Sequence, residues 1–227
     1  MKRFVVIAAF ALCACGPQTG KPGETTATTT TAATTASAPG AFELSCAAFA
    51  NATGSSLEQR FGAANVVQQN IAGAEGEEAP GTILFPNDPA RRVEILWNDT
   101  TGRTSPASIT ISGTEGQRSQ WTGPHNLTLG ESMIDVEHAN GGAFTLYGFE
   151  WDYGGTVTDW RGGALAPDDN CHVHVGFQPT GDAGRASGDS AFRSDSAEMR
   201  AVHPYVAVIG VSFVGTPSGQ SDQTNGK

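Results

Sequence analysis

The chain has 227 residues, a formal net charge of −10, 38% hydrophobic residues and only 16% charged ones. Beyond the first three residues its basic residues are scattered, with no cluster other than Arg91-Arg92. It therefore lacks the positive footprint by which proteins hold phosphate backbones, and a nucleic-acid partner is not expected.

Met1-Lys2-Arg3 is a short basic start, and Phe4 to Leu12 is an apolar run of nine residues. A stable membrane span needs ~20 apolar residues, so this run reads as a secretory signal. Leu12-Cys13-Ala14-Cys15 closes it and resembles the lipobox of bacterial lipoproteins. The resemblance implies that residues 1–15 are the signal, that Cys15 is lipidated, and that Cys15 becomes the mature N-terminus. Gly16 follows where Asp would signal retention at the inner membrane, so the resemblance favours the outer membrane. A membrane partner is thus implied through the lipid anchor, because acyl chains contribute ~0.8 kcal/mol per buried methylene.

Residues 16–40 are poor in large apolar side chains, and Thr25 to Ser37 is almost wholly Thr and Ala. Such a stretch cannot bury enough surface to offset chain entropy and reads as a tether. Apolar and aromatic residues recur from Phe42 to Phe213, which sets a folded domain at about 41–216. Residues 217–227 are polar and read as a loose tail.

With the signal removed and Cys15 acylated, Cys46 and Cys171 remain as an even pair in an oxidising compartment, and one disulfide is expected. Reactive or metal-binding thiols are the alternative.

Two segments look like copies, Leu57 to Val66 and Val136 to Thr145. Glu58 corresponds to Glu137 and Gly62 to Gly141, each at a shift of 79 residues. Ser55-Ser56 and Ser132 stand in front as N-cap candidates, and glycine ends each helical turn. Four runs rich in β-branched and aromatic residues follow each copy. The first set is Val66-Val67, Gly81–Phe85, Arg92–Trp97 and Ser108–Ile111. The second is Phe144–Phe149, Gly155–Trp160, Cys171–Phe177 and Tyr205–Phe213. The pattern predicts an α+β fold of two tandem repeats, about 41–120 and 121–216. Each repeat is a short helical segment packed on a four-stranded antiparallel sheet. Asp152-Tyr153-Gly154-Gly155 marks a hairpin turn. Alternation puts Val93, Ile95 and Trp97 on one inward face and Cys171, Val173, Val175 and Phe177 on another, with His172 and His174 outward.

This arrangement resembles the tandem-repeat fold of β-lactamase inhibitor protein and related small bacterial envelope lipoproteins. Ser56-Leu57-Glu58-Gln59-Arg60-Phe61-Gly62 and Met133 to Gly141 carry the likeness, which spans about Phe42 to Phe213. No inhibitory residue transfers by position. The segment Pro179 to Ser196 departs from the pattern as a long polar insertion before the last strand.

For chemistry, His172 and His174 stand at i and i+2 on one strand face and could share a metal, with Asp168 and Asp169 nearby. Four ligands at metal spacing are not evident, so no metal or cofactor is assigned. No nucleophile elbow, Ser-x-x-Lys or phosphate loop occurs, and no catalytic residue is assigned. Tyr147, Trp151, Tyr153, Trp160, His172 and His174 are the candidate binding residues, because outward aromatics on a sheet are good anchors for another protein. The sequence therefore reads as a non-enzymatic envelope lipoprotein that binds an envelope protein. The alternative is a metal-binding protein or hydrolytic enzyme centred on His172 and His174.

Overall fold

The structure, a computed structural model, describes residues 42–168 and 170–213. The signal segment, Cys15, the 16–40 tether, Asp169 and the 217–227 tail lie outside the described residues.

The chain is α+β, with short helices and mostly antiparallel strands. It opens with α1 (Cys46–Phe49), capped by the Ser45 hydroxyl, which accepts from the Ala48 N–H. Next comes α2 (Gly54–Phe61). Its N-cap is Thr53, two to three residues earlier than the Ser55-Ser56 pair suggested. Ser56 instead closes a reciprocal capping box with Thr53. The strands β1 (Val66–Ala72), β2 (Glu78–Leu84), β3 (Val93–Asp99) and β4 (Thr104–Ser112) then run as an antiparallel meander.

The second part opens with α3 (Met133–Asn140), with Ser132 as N-cap and Asp135 returning the bond. Gly141 ends it at φ 80°, in the left-handed region that glycine enters without a Cβ penalty. β5 (Thr145–Tyr147), β6 (Val157–Asp159) and β7 (Cys171–Gln178) follow. Inside the polar segment before the last strand lies β8 (Ala191–Arg193); α4 (Ala197–Ala201), with N-cap Ser196, follows it, and β9 (Tyr205–Phe213) closes the described chain.

Six strands form one sheet in the order β1-β2-β3-β4-β9-β7, and β6-β5-β8 form a second sheet. This differs from four strands per sheet. β4 pairs directly with β9, and β5 turns to β8, which lies inside the polar insertion Pro179 to Ser196 and so was not expected as a strand. A single bridge, Thr156 to Gly176, joins the approach to β6 with β7.

Cross-strand register explains the core. Thr82, Ile95, Ile109, Val211 and Val173 lie side by side on one face, and Ile111, Ile209 and Val175 form the neighbouring row. Val93, Ile95, Trp97, Val175 and Phe177 are buried, as alternation required. Trp97 donates its indole N–H to Thr82 Oγ1 at 2.9 Å, so neither buried polar group is orphaned. Phe42, Phe49, Phe61 and Phe85 gather about Trp121 and each other, and Phe144 packs between Trp160 and Phe177.

Cys46 and Cys171 are joined by a disulfide with Cα atoms 5.9 Å apart, tying α1 to the first residue of β7. No helix among the described residues is long and apolar enough to cross a membrane.

Candidate functional site

The turn between β5 and β6 carries three of the candidate aromatics. Tyr147 meets Trp151 edge-on with centroids 5.1 Å apart, and Trp151 meets Tyr153 the same way at 5.4 Å. Edge-to-face contacts of this kind add to area burial because the positive rim of one ring faces the negative face of the next. Trp151 donates its indole N–H to the Gly148 carbonyl at 3.0 Å, which holds the ring in place. Tyr147 and Trp151 are half-buried, and Tyr153 is 44% exposed.

This turn is anchored on both sides. Phe149 is buried, its N–H bonds the Ala186 carbonyl, and its own carbonyl accepts from Gly188. On the other side, the Phe177 N–H bonds the Gly155 carbonyl at 2.9 Å. Gly148 and Gly155 make these approaches possible. A Cβ on Gly148 would stand 2.5 Å from the Gly188 carbonyl oxygen, and one on Gly155 would stand 2.0 Å from that of Phe177. The rings are therefore presented by a clamped turn, so less ordering entropy is lost when something docks on them.

Trp160 does not join this surface. It is 5% exposed, packs 5.2 Å from Phe144, and points its indole N–H at the Val173 carbonyl. It lies one residue past the end of β6, where strand alternation no longer decides direction, and the core takes it.

His172 and His174 stand on the sheet face opposite the core rows. There His174 lies beside Gly210, which neighbours Thr110 and then Glu94, while His172 lies beside Ser212, then Ser108 and Leu96. None of these side chains belongs to the hydrophobic core cluster. The face is rich in small and hydroxyl-bearing residues, with the two imidazoles at one edge. Gly176 is on the same face two residues beyond His174 and bridges Thr156, so the aromatic turn abuts that same edge of β7.

The imidazoles are 6.5 Å apart between centroids, and His174 Nε2 is 2.6 Å from Ser212 Oγ. By surface area His174 is exposed, yet the surrounding strand lowers its pKa below the ordinary histidine value. Desolvation is the larger cause and the charge of neighbouring His172 the smaller. The contact with Ser212 has the spacing of a nucleophile and its base, but no carboxylate among the described residues is hydrogen-bonded to His174 to orient it. Asp168, considered as a metal ligand, accepts from the N–H groups of Asn170 and Cys171 and so caps its own turn. Among the described residues no group of three or more His, Cys, Asp or Glu side chains gathers as a metal would require.

A separate concavity of about 640 Å³ opens at the disulfide, with Ala47, Ala50, Ala166, Val173 and Phe213 among its walls. It is mainly apolar and holds no candidate binding aromatic.

Sequence reasoning found the rings and the histidines from residue type and alternation. It missed Asn140, buried at 2% exposure, whose Nδ2 donates to the carbonyls of Gly142 and Trp160 while its Oδ1 accepts from Leu165. The only signal was an Asn before the helix-ending Gly141-Gly142, which reads locally as a cap.

Comparison with known proteins finds no family model, no curated protein and no solved structure that matches this chain.

Proposed function

We propose that this chain is a non-enzymatic lipoprotein of the bacterial cell envelope, anchored through Cys15, favouring the outer membrane, and built to bind another envelope protein. The observation that carries the binding reading is the clamped aromatic turn beside the edge of the large sheet that bears His172 and His174. Tyr147, Trp151 and Tyr153 are already ordered, and aromatic anchors of this kind dominate protein interfaces. His172 and His174 extend the same edge with polar groups suited to an interface rim.

We further read the domain as a tandem duplication resembling the β-lactamase inhibitor protein fold. Several pairs of equivalent contacts support that reading. The N-cap Thr53 bridges Thr104 at the start of β4, and the N-cap Ser132 bridges Tyr205 at the start of β9. The Gly54 N–H bonds the Arg103 carbonyl, and the Met133 N–H bonds that of Pro204. The matching acidic residues Glu58 and Glu137 are each ion-paired, to Arg103 and Arg200, although these two arginines do not stand at equivalent positions. Through the Thr156 bridge the strand succession runs 1-2-3-4-9-7-6-5, two meanders meeting at their last strands.

The test is in two parts. Labelled palmitate should enter the full chain and be lost on Cys15→Ser. A photo-crosslinking residue at Tyr153 should trap one envelope protein, and Trp151→Ala or His174→Ala should diminish that product. Equal trapping from a distant exposed position such as Glu115 would remove the aromatic turn as the site.

A further inference from the structure

β1 forms one edge of the six-stranded sheet, and all seven of its residues pair with β2 without a register shift. Exposed edges are commonly blunted by charge, proline, a bulge or brevity. Val66-Val67-Gln68-Gln69-Asn70-Ile71-Ala72 has none of these. Val67 is 37% exposed, one of the few large apolar side chains so placed among the described residues, and Gln68, Gln69, Asn70 and Ala72 are exposed.

The hydrogen-bond parity shows which backbone groups face outward. The Phe85 N–H bonds the Asn65 carbonyl, and the Gly73 N–H bonds that of Glu77. Odd-numbered residues of β1 therefore exchange bonds with β2, and Val66, Gln68, Asn70 and Ala72 turn their N–H and C=O to the free side.

The strand is also nearly palindromic in chemistry about Gln69. Gln68 and Asn70 are amides, Val67 and Ile71 are β-branched aliphatics, and Val66 and Ala72 are both apolar, though of different size. A strand that reads alike in both directions complements a reversed copy of itself. We propose that β1 seats a symmetric homodimer, with two copies of this chain pairing their β1 strands antiparallel about a two-fold axis through Gln69.

In that register Val66 faces Ala72 of the second copy and Gln68 faces Asn70, so every outward N–H and C=O is matched. Val67 meets Ile71 on the far face and loses its exposure. No charged side chain lies within β1, so the pairing places no like charges opposite each other even though each copy is acidic.

Gln69 opposite Gln69 is a non-hydrogen-bonded pair, with Cα atoms ~4.5 Å apart, within disulfide reach. Val67 would lie four residues, roughly 13 Å, from its own copy and out of that reach. The test uses the full chain carrying Cys13→Ala and Cys15→Ser, so that no other free thiol competes. Under mild oxidation Gln69→Cys should give a covalent dimer, and Val67→Cys should stay monomeric. Sedimentation of the same background without added cysteine should show reversible dimerisation. Gln68→Pro should abolish it while keeping the melting temperature, since that N–H is unused within one copy. A monomer at every concentration, or cross-linking no faster at Gln69 than at Val67, overturns the proposal.

Discussion

Gly155 lies against Phe177 so closely that a side chain on it would meet the Phe177 carbonyl oxygen at 2.0 Å, and its φ of 76° already suits glycine alone. This contact fixes the aromatic turn to β7. Gly155→Ala combines a left-handed backbone penalty with a steric clash and should cost roughly 2–4 kcal/mol. Urea unfolding of the variant measures it, and the near-ultraviolet dichroism of the ordered rings should weaken in parallel. An unchanged midpoint would show that the turn is not held there.

Tyr153→Ala should separate binding from stability. The ring is 44% exposed and, among the described residues, has one ring contact, with Trp151, so unfolding should change by less than ~0.5 kcal/mol. As an interface anchor it should cost at least tenfold in partner affinity, about 1.4 kcal/mol. Titration of the trapped partner against both proteins decides between the two, and a variant that binds as well as the parent excludes Tyr153 as an anchor.

His174 makes stability depend on pH. Its pKa in the folded state is lowered, by desolvation first and by His172 second. The unfolded chain therefore takes up the proton at a higher pH than the folded one does. This contribution is complete above the ordinary value of about 6.5 and is lost as pH falls through the lower folded value. Thermal melts from pH 8 down to pH 5 should show the parent losing stability at the acid end more steeply than His174→Gln. Parallel profiles would dismiss the contribution.

The Cys46–Cys171 bond closes 125 residues of sequence separation. Restricting the unfolded chain over such a loop stabilises the fold by roughly 4–5 kcal/mol at most in the chain-entropy treatment. Paired Cys46→Ala and Cys171→Ala substitutions should lower the melting temperature markedly, with α1 exchanging its amide hydrogens first. Thiol labelling of the untreated protein should find neither cysteine free.

What the sequence by itself determined was local. Ser132 as a cap, glycine at the ends of both longer helices, and the inward sets Val93-Ile95-Trp97 and Val175-Phe177 follow from backbone sterics and a period of two. Those rules act over a few residues, so they appear in the sequence directly. The pairing of Cys46 with Cys171 was legible too, because few candidates remained. The tertiary structure decided how distant pieces meet. β4 joins β9 and β5 joins β8, Trp160 enters the core although its strand position left it open, and Asn140 clips the chain at Trp160 and Leu165. Each outcome depends on which surfaces are buried together across long separations. Area removed from water and satisfaction of buried polar groups are properties of the packed whole, which no short window of sequence contains.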